Sequence, residues 1–355
     1  MILQRYLLRE TSAASLMSLL VFVGVMLALF LAELLGDAAQ GLLPAASVLR
    51  LLVLRLPEAL LMVGPLALMV GVLMAIGRLG ETSELAVQRA AGLSFEAMLR
   101  PLLLLILVWA GGLLLVSGWL APAAVARTGD LMADVARQAL VSGLKAGQFD
   151  RLDSGRLTVY VGSVDRQTGE LTDVFVHLFD GEESEVLTAP SGRLWIDADD
   201  QRPYLSLYQG HQLRHVNRLD SPRRRSIAFE RNDIRLPAPD SGGAADQELR
   251  LSLSQLRPLD TAGRFREWHW RLAAPVAALL LGLLAVPLAQ RAPRQGRFGV
   301  IVLALGLYLV YTNLVHAGLV LIERRDLASG PGLWPLHALI ALLAAGLLFR
   351  HWRRW

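Results

Sequence analysis

The chain has 355 residues, 54% of them hydrophobic and 19% charged, with a formal net charge of +4 and no cysteine. Without cysteine it can hold no disulfide framework, thiolate metal site or thiol nucleophile. Among its 35 basic residues Lys145 is the one lysine, and the arginines gather at the ends of apolar blocks, where membrane topology rather than nucleic acid calls for them.

An α-helix crossing a hydrocarbon core needs roughly 20 residues without a charge. Three segments in the first part of the chain meet that length: Thr11–Ala32 with 22 residues, Ala59–Gly77 with 19 and Pro101–Ala126 with 26. The first is too long for a signal-peptide core, and no small-x-small cleavage site follows it. Between the second and third spans, residues 80–92 (GETSELAVQRAAG) predict a short helix. Thr82 or Ser83 is placed to cap it, carboxylates stand near its start, and Gly92 suits the position after its end. A helix this short is marginal alone in water, so the segment is either a solvated turn or a docking knob held by something else.

From Arg127 the composition changes. Residues 127–145 predict a helical connector with a stripe at Leu131, Val135, Ala139 and Leu140, and short β-type runs follow at 157–164, 174–179, 194–197, 204–208, 212–216 and 226–229. Turn chemistry separates them at Asp153-Ser154-Gly155, Thr168-Gly169, Asp180-Gly181, Ser191-Gly192 and Gly210. This punctuation suggests a sandwich or jelly roll. Residues 237–246 form a Pro/Gly/Ala linker, and 249–259 lead back to the membrane. Three further spans follow: Leu272–Gln290 with 19 residues, Phe298–Ile322 with 25 and Leu327–Phe349 with 23. The expected fold is therefore an α-helical membrane protein of six transmembrane helices with an inserted all-β, jelly-roll-like domain. Its organisation is 1–126 (three spans), 127–271 (β domain with flanking connectors) and 272–355 (three spans).

Orientation follows from arginines in short loops. With the N-terminus inside, eleven arginines (Arg5, Arg9, Arg78, Arg89, Arg100, Arg291, Arg294, Arg297, Arg350, Arg353, Arg354) stand inside and four (Arg50, Arg55, Arg324, Arg325) outside. Both termini are expected on the cytoplasmic side and the β domain on the outer side.

Enzyme signals are weak. Asp240-Ser241-Gly242-Gly243 superficially resembles a serine-protease motif, but it lies in a linker without strand–turn–helix context. There is no phosphate-binding Gly-x-x-x-x-Gly-Lys-Ser/Thr loop, so the chain itself is not expected to hydrolyse ATP. His316 and His337 lie within spans, each either a functional group or a neutral imidazole hydrogen-bonded to a neighbouring helix.

Several short motifs fall in a fixed order across this topology: Arg5-Tyr6-Leu7 with Arg9-Glu10, Pro57-Glu58, Pro65-Leu66, Ser83-Glu84-Leu85, Gly92-Leu93-Ser94 and Pro293-Arg294-Gln295-Gly296-Arg297. Together they resemble the LptF/LptG family of lipopolysaccharide export permeases, and the first and last resemble its LptF branch more than the paralogous one. The resemblance implies a permease subunit of an ABC transporter in the bacterial inner membrane. It would pair with an LptG-type paralogue on a dimer of a separate cytoplasmic ABC ATPase. It would extract lipopolysaccharide and pass it to a jelly-roll bridge protein of the LptC type, with no cofactor or metal and no nucleic acid. Residues 81–92 would be the coupling helix, with Glu84 matching the family's acidic contact and Ser83, Leu85, Arg89 and Gly92 around it. Each buried CH₂ holds a lipid in the bilayer by about 0.8 kcal/mol, so work must come from the ATPase. Arg55, Arg324 and Arg325 at the outer rim are candidates for phosphate contacts, or else headgroup-level anchors. Related chains can carry basic residues at the outer end of the first span, where this one has Glu33 and Asp37. Cation bridging or a structural role is then open there. The alternative class is a non-transport membrane scaffold or receptor whose outer β domain binds a partner; dependence of an ATPase's turnover on this chain separates the two.

Overall fold

The computed structural model describes residues 2–40, 43–92, 94–143, 146–152, 157–165, 170–179, 183–196, 203–216, 223–235, 244–289, 297–325 and 329–353. It divides into two compact units, Met1–Thr128 with Ala244–Trp355, and Gly129–Gly243.

The first unit is helical. Its elements are α1 (Ile2–Ala39), α2 (Ala45–Leu54), α3 (Leu56–Glu81), α4 (Glu84–Ala90) and α5 (Phe95–Leu115), which runs through a π-helical turn (Val116–Leu120) into α6 (Ala121–Gly143). After the insert come α7 (Ala244–Arg250), α8 (Ala262–Ala289), α9 (Arg297–Arg324) and α10 (Trp334–Trp352). Six helices among the described residues are long and apolar enough to cross a membrane: α1, α3, α5 continued into α6, α8, α9 and α10. Backbone hydrogen bonds closed within each segment are what make a helix the spanning solution. The helices overrun the charge-free segments at most ends, because a helix stops where its backbone does and not where its apolar face does. The last is the exception. It starts at Trp334 rather than Leu327, since Gly330 and Gly332 take φ of +129° and +51°, which no helix continues through. The apolar helix α2 was not anticipated; at ten residues it is too short to span.

α3 and α8 form the centre, with 78% and 67% of their apolar stretches buried against 17% for α1 and α10. Leu68, Met69, Val72 and Ile76 of α3 meet Met98, Leu102 and Ile106 of α5 and Ala278, Leu281 and Ala285 of α8. α1 lies on α3 through a stripe at helical spacing, Leu7, Thr11, Ser15 and Ser18, all buried. The small side chains among them, Thr11, Ser15 and Ser18, let the two backbones approach, the usual device where lipid gives no hydrophobic drive between helices. Its other face, with Leu16, Met17, Leu20 and Val25, is exposed, as lipid- or partner-facing residues are.

The second unit is one six-stranded antiparallel sheet in sequential order: β1 (Phe149–Leu152), β2 (Leu157–Val164), β3 (Glu170–Phe179), β4 (Glu183–Ile196), β5 (Pro203–Val216) and β6 (Arg223–Arg235). Leu157, Val159, Val161, Val174, Val176, Leu187, Leu205 and Leu207 make its core. The inserted all-β domain is thus present, but two of its expected turns are not turns. Ser191-Gly192 lies inside β4, and Gly210 joins the runs 204–208 and 212–216 into the single strand β5. In these strands the buried positions change phase by one residue, from Ala189 to Gly192 in β4 and from Leu207 to Gly210 in β5, where Gln209 has φ +53°. β3 does the same at Asp173, φ +50°. Glycine is demanded by this bend: a Cβ at Gly210 would stand 2.5 Å from the Thr188 carbonyl oxygen. The other three expected turns and most of the 237–246 linker lie outside the described residues. Residues 127–143 are helical as expected, within α6, whereas Leu144 and Lys145 are outside the described residues.

Candidate functional site

The residues singled out around Glu84 collect where α1 begins, α3 ends and α5 begins. α3 stops at Glu81, and Ser83 takes φ +60°, which turns the chain sharply into α4. The capping expected of Thr82 or Ser83 is not made: no side chain caps α4. Instead the Thr82 hydroxyl donates to Glu84 Oε1 at 3.0 Å. Gly92 does end the turn as expected, with φ +85° and its N–H donating to the Arg89 carbonyl at 2.9 Å. Ser94 then caps α5, accepting from the Ala97 N–H.

α4 is held from beneath. Leu85 is buried in the helical core and Gln88 is buried beside it, so neither is presented outward. Ala86, Val87, Arg89 and Ala90 are exposed. Leu85 therefore anchors the helix, while the outer face is small and apolar with Arg89 at its side. Burial of the Leu85 side chain contributes about 1.5–3 kcal/mol toward ordering a segment too short to be helical alone.

Glu84 is engaged within the chain. The Tyr6 hydroxyl of α1 donates to Glu84 Oε2 at 2.8 Å. Arg78 of α3 donates to the Tyr6 oxygen at 3.4 Å and pairs with Glu10 of α1 at 2.7 Å. The Glu84 carboxyl is held below the usual carboxylate range, chiefly by the Tyr6 hydroxyl and then by Thr82, with Arg78 adding to them against a desolvation effect. The sequence motif Arg5-Tyr6-Leu7 with Arg9-Glu10 thus meets the motif Ser83-Glu84-Leu85 in space, although nothing in the sequence singled out Tyr6, Glu10 or Arg78 for this place. A further brace is the Gln4 amide, which donates to the Ala97 carbonyl at 3.4 Å. On the far side of the loop, the Trp352 indole N–H donates to Glu96 Oε1 at 2.7 Å.

The other end of the bundle holds the outer-rim candidates. Arg55 pairs with Glu58 at 3.4 Å and Glu33 at 3.9 Å, and lies over the Phe30 ring at 5.2 Å. Glu33 and Arg55 thus brace α1 against the start of α3. Arg324 and Arg325 stand exposed at the end of α9, next to Glu323, which pairs with Arg266 of α8. His337 shares a 3.0 Å hydrogen bond with the Tyr311 hydroxyl of α9, and His316 packs against Trp270 with ring centroids 5.2 Å apart. Among the described residues no group of His, Cys, Asp or Glu could hold a metal ion. The stretch from Pro293 to Gly296 lies outside the described residues.

At this same end the chain returns from the insert. Arg271, buried on α8, donates through Nε to the buried Glu267 at 2.9 Å and through Nη2 to the carbonyls of Glu248 and Leu249 at 3.2 and 3.3 Å. Its Nη1 donates to the Leu251 carbonyl. The Leu253 N–H donates to the Gly118 carbonyl in the π-helical turn at 2.9 Å. The return segment is thereby pinned between the third span and the fourth. Sequence reading missed this clamp, because Arg271 and Glu267 looked like ordinary flanking charges.

The family model described as "Lipopolysaccharide export system permease LptF/LptG" matches residues 5–350. The chain is 27% identical to the lipopolysaccharide export system permease protein LptF of Escherichia coli strain K12, over 99% of this chain and 95% of that one. It is similar to the protein of the same description from Shigella flexneri at the same identity and coverage. A match over the six spans, the sheet and the α4 loop together shows that the chain belongs to the LptF/LptG family of lipopolysaccharide export permeases.

Proposed function

We propose that this chain is the LptF-type half of a permease pair that extracts lipopolysaccharide from the inner membrane, driven by a separate cytoplasmic ABC ATPase dimer that α4 engages. The observation that carries this reading is α4 itself. It is a seven-residue helix fixed to the bundle by Leu85 and Gln88, with Ala86, Val87 and Ala90 outward and an ionised carboxylate at its base. Such a knob fits a groove with a cationic rim. An LptG-type paralogue would cover part of the exposed apolar face of α1, and the β domain would hand the lipid to an LptC-type jelly-roll bridge. Charge reversal, Glu84→Arg, puts a second cation beside Arg78 and opposite the partner's basic group. ATPase pull-down should fall at least about tenfold, with loss of stimulated ATP turnover in proteoliposomes. A charge reversal on the ATPase should restore it. Wild-type binding and stimulation by Glu84→Arg would remove the coupling assignment.

The same reading places both termini and α4 on the cytoplasmic side, supported by the eleven-to-four arginine asymmetry. Alkaline phosphatase fused at Gly169 or Gly210 should be active, and fused at Gly92 or Arg294 inactive; activity at Arg294 would invert the topology. Because Arg55 is taken up by Glu33 and Glu58, the headgroup role narrows to Arg324 and Arg325, two exposed cations suited to bidentate phosphate contacts. A photocrosslinker at either position should capture lipopolysaccharide, and capture from other positions only would make them anchors.

A further inference from the structure

The geometry points to Tyr6 as a positioning residue for coupling: its hydroxyl fixes the Glu84 carboxylate in the orientation a cationic ATPase groove accepts, and ties the start of α1 to α4. This rests on the coupling reading above and adds a part to it. Glu84 is the first residue of α4 and is only partly buried, so packing alone does not fix its side chain. Two hydroxyls do so, Tyr6 on Oε2 at 2.8 Å and Thr82 on Oε1 at 3.0 Å. Each oxygen keeps a lone pair for an incoming guanidinium or ammonium group. Tyr6 is fixed in turn by Arg78, which Glu10 holds from the same helix as Tyr6. A carboxylate held in one rotamer gives up less side-chain freedom on binding than a mobile one, which is how preorganisation raises affinity.

The tie also has a mechanical consequence. The first nine residues of α1 make three contacts here: Gln4 with the Ala97 carbonyl of α5, Tyr6 with Glu84 of α4 and Glu10 with Arg78 of α3. Beyond them α1 is mostly exposed, one stripe lying on α3. An ATPase that grips Glu84 therefore also grips the start of a peripheral span.

The test uses the assembled permease pair in nanodiscs and its purified ATPase, with Tyr6→Phe, Glu84→Gln and both together. Tyr6→Phe keeps the ring and removes only the hydroxyl. ATPase affinity should fall about three- to tenfold, on the scale of ordering one otherwise mobile side chain on binding. Glu84→Gln should fall at least as far, and the double variant should be within about twofold of Glu84→Gln alone, because Tyr6 acts through that carboxylate. A pH series separates positioning from mere packing. The groups facing Glu84 are Tyr6 from α1 and Arg78 from α3, the latter paired with Glu10. Binding is lost as pH falls through the depressed carboxyl value, so removing the largest depressing contact should move that acid limb to higher pH. Independent effects in the double variant, or an unmoved acid limb, overturn the positioning role. If Glu84→Gln binds as wild type, the coupling reading itself falls. If Glu84→Gln loses binding and Tyr6→Phe does not, only the role of Tyr6 falls.

Discussion

Replacing Arg271 with methionine is expected to destabilise the helical unit by about 3–5 kcal/mol, the usual cost of removing one partner of a buried ion pair. Both side chains are buried, at 3% and 6% exposure, so solvent does little to screen what is lost. The Glu267 carboxylate would stay buried without its cation, and the carbonyls of Glu248, Leu249 and Leu251 would lose their shared donor. Those carbonyls belong to the segment that returns from the β domain. Arg271→Lys should rescue only in part, since an ammonium group cannot reproduce the guanidinium fork that reaches all of these acceptors. Arg271→Met combined with Glu267→Met should cost less than Arg271→Met alone, because no orphaned charge remains. Thermal unfolding of the purified protein in detergent measures this. Stability of Arg271→Met within 1 kcal/mol of wild type would show that the clamp is not holding the segment.

Gly71→Ala is expected to push α1 off α3. A Cβ there would stand 2.5 Å from the Ser15 backbone nitrogen. No rotamer change relieves an overlap with backbone, so one helix must shift. Overpacking of this kind costs about 1–3 kcal/mol, and here it acts on the contact that holds α1 in place. Gly77→Ala in the same helix and Gly24→Ala in α1 are the controls, for a Cβ at either meets nothing within 4 Å. Alanine there should be neutral or stabilising by up to about 1 kcal/mol through helix propensity. Yield and melting temperature of the three variants decide it. A Gly71→Ala protein that melts with its controls would mean that α1 packs on α3 less closely than this.

Much of the fold was legible in the order of the residues, for identifiable reasons. A stretch of about 20 residues without a charge is itself the physical requirement for a span, so the six helices follow from counting. The run 157–164 alternates apolar and polar residues and matches β2 at both ends, because half-buried strands have a period of two. The long strands were harder. β5 carries Gln209-Gly210 at a bend, and glycine marks a bend inside a strand as readily as a turn between two strands. Gly92 was placed correctly, since a left-handed residue after a helix is a local matter that glycine settles by itself.

The site divides along the same line. That a short helix lies near Glu84 between the second and third spans is local information, and the sequence carries it. Which of its residues face inward is not, because Leu85 could as well have been an outward contact until the bundle was there to bury it. Tyr6 and Glu84 are 78 positions apart, and Arg271 bonds to carbonyls as far as 23 positions away. An arginine at the end of an apolar block looks the same in sequence whether it stands exposed, as Arg324 and Arg325 do, or is held by carboxylates, as Arg55 and Arg271 are. The hydrophobic pattern determines where the chain must be helix, strand or span, since burial in lipid or in a sheet is decided residue by residue. Arg271–Glu267 and Arg55–Glu58 are local pairs three or four positions apart, and there tertiary structure decided only how deeply each is buried. Pairs between helices, such as Arg78–Glu10 and Arg55–Glu33, were decided by tertiary structure alone, because such a charge takes its partner from whatever the packing of distant helices brings within about 4 Å.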